Sequence, residues 1–254
     1  MAPIRPFDPA AFVNAVVPWI RAKTKNAGAE RIILGLSGGI DSAVVAHLSV
    51  RAVGPKNVVG AWLGCDSTVE ERDDAEAIAN QLDIRIPHIE LAKTFNELAE
   101  ATRYSGLFDI RMSKLTRGNA KSRLRMVTLY AIANTMSGVV IGTGDKSEDD
   151  IGYFTKYGDG GVDFSPISDI YKSEVRELGR FLGVPQNIID KPSSPGLWEG
   201  QTAEGELGIK YGDVELVLEG KEAPDGIASK VLELRINSAH KRAYPHVFPW
   251  SPTE

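Results

Sequence analysis

The chain has 254 residues, is 43% hydrophobic and 25% charged, and carries a formal net charge of -5 with one cysteine. That length suits one sizeable α/β core, and the acidic balance excludes a free-standing nucleic-acid binder, which needs a basic footprint. The lone Cys65 excludes an intramolecular disulfide and a CxxC metal or redox pair, which suits a reducing cytoplasm.

In chain order, Asp8-Pro9 reads as a helix N-cap followed by proline in the first turn. The N-terminal stretch therefore has prolines and an acid where a signal peptide has an apolar core. Phe12, Val13, Val16, Val17 and Ile20 then recur at helical spacing, with Pro18 as a point where that helix can kink. Apolar runs predict strands over 32–36, 58–63, 84–89 and 139–142, and helical patterns separate them over 42–52, 69–82, 92–102 and 120–136. Alternating strands and helices predict an α/β fold, a doubly wound parallel sheet with helices on both faces. No apolar run reaches the length of a membrane span. Two stretches break the rhythm and are expected to be long loops: 103–122, with Arg103, Arg111, Lys114, Arg117 and Lys121, and 191–208, rich in Gly, Pro and Ser. Helical character returns over 214–218 and 227–240.

Gly35-Leu36-Ser37-Gly38-Gly39-Ile40-Asp41-Ser42 joins the first strand to the helix after it. Such a turn is an anion site, because backbone N–H groups at the helix start point outward and the helix dipole adds positive potential. Glycines let the backbone approach a ligand closely. The octet is not a GxxxxGK[ST] phosphate loop: Asp41 stands where a lysine would reach the outer phosphates. Two like charges 4 Å apart repel by about 4 kcal/mol at an effective dielectric of 20. An aspartate beside a phosphate therefore implies a divalent cation between them, most simply Mg²⁺.

The octet resembles the SGG-x-DS loop of the PP-loop ATP pyrophosphatases, which cleave ATP between the α and β phosphates. The segment from Gly142-Thr143 through Glu148 to Tyr153-Phe154-Thr155-Lys156-Tyr157-Gly158-Asp159-Gly160-Gly161 and Asp163 is similar to that of the ammonia-using NAD⁺ synthetases. The likeness extends to Gly118–Met126, Tyr171-Lys172, Gly196–Thr202 and His240-Lys241-Arg242. It implies a Rossmann-like fold of the adenine nucleotide alpha hydrolase type and a two-step reaction. The nicotinate carboxylate of deamido-NAD⁺ attacks the α-phosphate of ATP, pyrophosphate leaves, and ammonia attacks the acyl-adenylate to give NAD⁺ and AMP.

The resemblance also implies roles. Gly35 to Ser42, Thr143, Lys172 and Ser194 would contact ATP; Asp41 and Glu148 would hold Mg²⁺; Lys172 would stabilise charge on the α-phosphate. Arg123, Tyr153, Lys156, Asp163, His240 and Lys241 would bind deamido-NAD⁺, with Phe154 adding an aromatic face, and Asp159 would orient substrate or ammonia. A homodimer is implied, with no nucleic-acid or membrane partner. Residues 62–66, 144–146, 193–195 and Ala203 depart from the usual family wording. Only about thirty residues precede the loop, too few for an amidase domain by ordinary domain sizes, so a single synthetase domain fed by free ammonia is expected, with a separate glutaminase not indicated.

Overall fold

The computed structural model describes residues 2–103, 112–198 and 200–250; Arg111 and Glu199 lie outside them. Helix α1 (Pro9–Asn26) begins as expected, with the Asp8 carboxylate accepting from Ala10 N and Ala11 N, and it runs through Pro18. Strand β1 (Arg31–Gly35) leads into α2 (Ile40–Val53), then come β2 (Val58–Gly64) and α3 (Val69–Leu82). Thr68 and Glu71 cap α3 reciprocally, the Thr68 hydroxyl taking Glu71 N and the Glu71 carboxylate taking Thr68 N.

The third strand is shorter than the expected 84–89: β3 covers His88–Glu90, and Arg85 adds one isolated bridge to Val59. Pro87 lies between these two pieces and has no N–H to give the ladder, although its carbonyl accepts from Trp62 N at 3.0 Å. Helix α4 is Ala92–Arg103. The long loop expected over 103–122 is corrected at its second half, because α5 (Lys114–Thr135) starts there behind a Ser113 cap. Its first turns look aperiodic because they pack on the irregular stretch after 191 rather than on the sheet: a Cβ on Gly118 would lie 3.0 Å from Leu197.

Strand β4 (Gly138–Val140) completes a parallel sheet of order β3-β2-β1-β4. Alternation along β1 sends Ile32 and Leu34 to a core shared with α1, α2 and α3, and Ile33 to one shared with α5. All seven residues of β2 are buried, as a strand covered on both faces requires. The sheet is doubly wound, and β1 is where the winding reverses: β2 lies on one side, β4 on the other. Ligand crevices in such sheets open beyond the C-terminal strand ends at this point.

The rest of the chain adds α6 (Lys146–Ile151), α7 (Lys172–Leu182), α8 (Gln186–Asp190), α9 (Ala203–Leu207), α10 (Tyr211–Leu218) and α11 (Ile227–Asn237), with α7 and α8 packed into the core of α1 and α2. A 3₁₀ turn over Ala239–Lys241 ends the expected 227–240 helix. Ile151, Ile209, Val214 and Val231 form a satellite core joining α6, α10 and α11. No helix among the described residues is long and apolar enough to cross a membrane.

Candidate active site

The octet sits at the reversal point. Gly38 has φ +79°, and a Cβ there would lie 2.4 Å from the Glu71 carbonyl, so only glycine lets the turn tuck under α3. Gly39 is the N-cap residue of α2. The two hydroxyls hold the turn together: Ser42 Oγ donates to Gly39 O at 2.9 Å, accepts from Ser37 N at 3.2 Å and pairs with Ser37 Oγ at 3.1 Å.

Opposite this turn, Lys172 at the start of α7 is fully buried among carboxylates. Its Nζ lies 2.7 Å from Asp41 Oδ2, 2.8 Å from Asp145 Oδ2 and 2.8 Å from Glu148 Oε1. Asp41 comes from the first turn of α2, Asp145 caps α6 and Glu148 lies in its first turn. Tyr211 at the head of α10 donates its hydroxyl to Glu148 Oε1 at 3.3 Å and sets its ring 5.4 Å from the Lys172 ammonium. Burial works against the Lys172 charge, but Asp145, Asp41 and Glu148 outweigh it and hold the ammonium well above its ordinary pKa. Burial pushes the Asp145 carboxyl up to about 6, opposed by Lys172 and reinforced by Asp41. Burial likewise raises Glu148, with Lys172 pulling the other way.

Three carboxylates around one ammonium leave an excess of negative charge, and among the described residues Asp41 Oδ1 is buried with no hydrogen-bond partner. Hard carboxylate oxygens, one of them orphaned, fit a hard divalent cation such as Mg²⁺. Among the described residues no three His, Cys, Asp or Glu side chains form a complete metal cage, so water and phosphate oxygens would complete the shell. Lys172 is thus not a solvated helix charge, and Asp145, part of the variable 144–146 stretch, joins the two carboxylates foreseen. The sequence signal for it is its spacing: Asp145 and Glu148, three apart, both face one turn of helix.

Thr143 lies just past the β4 edge, after the Ile141–Phe164 bridge. Ser194 is exposed, and its hydroxyl accepts from Gly196 N at 3.1 Å. Arg125, next but one to the predicted Arg123, was not singled out by its sequence. Its guanidinium donates to Leu63 O at 3.1 Å, Ser67 Oγ at 3.3 Å and Gly196 O at 3.3 Å, tying the end of β2 to the 196 loop. Burial lowers its pKa, and nearby Cys65, Glu71 and Asp159 partly restore it.

A second cluster forms where the 152–163 loop meets α5 and the C-terminal turn. Asp159 Oδ1 accepts from Ser122 Oγ at 2.7 Å and Thr155 N at 3.0 Å, and the residue is exposed. A Cβ on Gly158 would lie 2.3 Å from Ser122 Oγ, so the loop needs glycine to reach α5. Arg123 Nε donates to Lys156 O at 3.2 Å, and Lys156 Nζ donates to His240 O. Lys241 Nζ donates to Gly152 O at 2.7 Å and Phe154 O at 2.8 Å. Burial lowers the Lys241 pKa, with Asp159 pulling it back up. Tyr153 donates to Glu206 Oε2 at 2.8 Å. Asp163 is set apart: its carboxylate takes Val140 N at 2.7 Å and Tyr130 OH at 3.2 Å, which anchors the edge of β4. His240 is exposed, and its main chain rather than its ring meets Lys156.

A reversed-winding parallel sheet, a glycine-rich turn at its switch point and an acidic cluster with one buried lysine define a nucleotide-using enzyme of the PP-loop α/β class. Residues 12–245 match the model of the NAD synthase family, and the chain belongs to that family. It is 42% identical over 242 residues to an NH(3)-dependent NAD(+) synthetase of Syntrophomonas wolfei, covering 94% of this chain and 96% of the relative. An NMN synthetase structure from Francisella tularensis superposes with TM-score 0.90 at 34% identity, covering 96% of this chain and all of that one. An NH3-dependent NAD synthetase structure from Campylobacter jejuni gives TM-score 0.79 at 28% identity over 96% of this chain. The family's members are ligases, and its reaction is the ATP-dependent amidation of deamido-NAD⁺ that ends NAD⁺ biosynthesis.

Proposed function

We propose that this chain makes NAD⁺ from deamido-NAD⁺, ATP and free ammonia, with the chemistry centred between the octet and the Lys172 cluster. The observation that carries this reading is the buried Lys172 held by Asp41, Asp145 and Glu148 beside a glycine turn at the sheet's switch point. The turn's N–H groups and the dipole of α2 favour the departing pyrophosphate. Mg²⁺ held by Asp41 and Glu148, when bound, would neutralise phosphate charge; Lys172 keeps those two carboxylates in place and supplies fixed positive charge near the α-phosphate. A carboxylate is a poor electrophile, and adenylation gives the nicotinate carbonyl a good leaving group. Ammonia must then present its lone pair to that carbon. Asp159, with one carboxylate oxygen fixed by Ser122 and Thr155, is suited to take an ammonia N–H and orient it.

Arg123, Lys156 and Lys241 offer cationic groups around the 152–163 loop for the dinucleotide phosphates, with Tyr153 and Phe154 beside the nicotinate ring; His240 shapes this wall through its main chain, and Asp163 acts from the β4 edge. Thr143 and Ser194 line the ATP side. Free ammonia as donor is supported by the 42% identity to NH(3)-dependent NAD(+) synthetases over most of the chain. A cytoplasmic setting is supported by the unpaired, buried Cys65, and a homodimer by exposed apolar side chains on α5, α11 and the C-terminal tail. A second reading, amidation of the mononucleotide instead, is favoured by one observation, the likeness to the Francisella NMN synthetase.

A substrate panel with pyrophosphate release as readout decides among these. Deamido-NAD⁺ plus an ammonium salt should give the highest kcat/KM. A higher value for nicotinate mononucleotide would make the second reading the correct one. Equal turnover with glutamine in place of ammonium would refute free ammonia as the donor.

A further inference from the structure

One helical turn along α7 from Lys172, at Arg176, the structure opens into a cavity of about 610 Å³. Its wall includes Arg176, Ser193, Thr202, Glu204, Lys210 and Asp213. Two of these side chains share an anomaly. Among the described residues, Arg176 Nε and Ser193 Oγ are both buried and both lack a hydrogen-bond partner. Buried donors are nearly always paired, and leaving a charged group's donor unpaired is costly. Nor does Arg176 enter any ion pair among the described residues. Two unpaired donors in the wall of one cavity point to a ligand that accepts from both.

The two acids in the wall are not partners of these donors: Glu204 accepts from Tyr211 N at 2.9 Å, Asp213 lies in the first turn of α10, and among the described residues neither is hydrogen-bonded to Arg176. Lys210, the N-cap residue of α10, adds a further cation at the rim. The planar guanidinium fork suits tetrahedral oxyanions, which it binds through paired N–H donors.

We propose that this cavity is a subsite for a phosphate oxyanion, with Arg176 and Ser193 as its donors. It neighbours the proposed reaction site twice along the chain: Ser193 precedes Ser194, and Arg176 follows Lys172 by one turn of α7. Pyrophosphate expelled from the glycine turn and free inorganic phosphate share the chemistry it recognises. The functional reading bears only on which of the two is the natural occupant; oxyanion binding stands without it.

The test uses the whole chain saturated with α,β-methylene ATP and Mg²⁺, so that the glycine turn is filled and no turnover occurs. Calorimetric titration with sodium pyrophosphate, and separately with inorganic phosphate, should reveal one further site. Arg176→Gln should raise its Kd at least about tenfold, and Ser193→Ala roughly threefold to tenfold, with affinity for the ATP analogue unchanged in both. Tighter binding of pyrophosphate than of phosphate identifies the reaction product as the occupant; the reverse order identifies free phosphate. No further site in the analogue-saturated protein, or a Kd that both substitutions leave alone, overturns the proposal. If circular dichroism shows Arg176→Gln unfolded, Ser193→Ala and Arg176→Lys, which keeps the charge but loses the fork, decide on the same criterion. Failure of the substrate panel with success here would refute the functional reading and leave the subsite standing.

Discussion

At the residue scale, the decisive contrast is between Asp41 and its neighbours. Asp145 and Glu148 also grip Lys172, so removing the Asp41 charge leaves the ammonium paired and the fold supported. What is lost is the anionic charge, one of the hard carboxylate oxygens a divalent cation would use. Asp41→Asn should therefore lower kcat for pyrophosphate release by on the order of a hundredfold or more, the scale of losing one electrostatic stabiliser, while the urea midpoint stays near wild type. A stability loss without a rate loss would make Asp41 structural. The octet was legible because its eight residues are contiguous and each glycine has a local reason. Asp145, Tyr211 and Arg125 were not, since their meaning depends on partners far away in the chain: Lys172, Glu148, and the carbonyls of Leu63 and Gly196.

At the element scale, β1, β2 and β4 were readable as apolar runs between turn residues, because parallel strands covered on both faces need them. The third strand was read too long, since propensity does not register how Pro87 interrupts a ladder. Helix α5 was read too short: its first turns face a loop, not the sheet, and so carry no apolar stripe. Helices α6 and α7 show no purely apolar stripe in the sequence because their buried faces include charge, Asp145, Lys172 and Glu174 among them. Helix α2 carries a prediction of its own. His47 is buried on it with Nε2 unpartnered among the described residues, and burial, aided by Arg51, lowers its pKa to about 4. The unfolded chain takes up this proton near pH 6.5 and the folded one only near 4. Stability is therefore full above about 6.5 and falls as pH drops through about 4, by roughly 3 kcal/mol from this group. Urea unfolding of His47→Leu should lose that slope relative to wild type between pH 7 and 4; parallel curves would show that His47 protonates freely in the fold.

At the scale of the whole molecule, strand order was the least legible feature, because apolar runs do not say which strands are neighbours; yet that order places the turn and Lys172 together. The surface has its own asymmetry. Leu115 and Val127 on α5, Leu232 and Ile236 on α11, and Tyr244, Val247, Phe248 and Trp250 on the tail are all exposed. Exposed large apolar side chains, where they gather into a patch, mark an interaction face. Sedimentation should find a dimer, and joint replacement of Val127 and Phe248 by serine should shift it toward monomer; an unchanged dimer would place the interface elsewhere. One more consequence follows from Cys65, the sole thiol, sealed at the end of β2 where burial raises its pKa. A thiol so placed reacts only when that strand end parts from its cover. The rate of its alkylation in the native state is thus a single-atom clock for the breathing of the sheet, and ligands that clamp the nucleotide crevice should slow it.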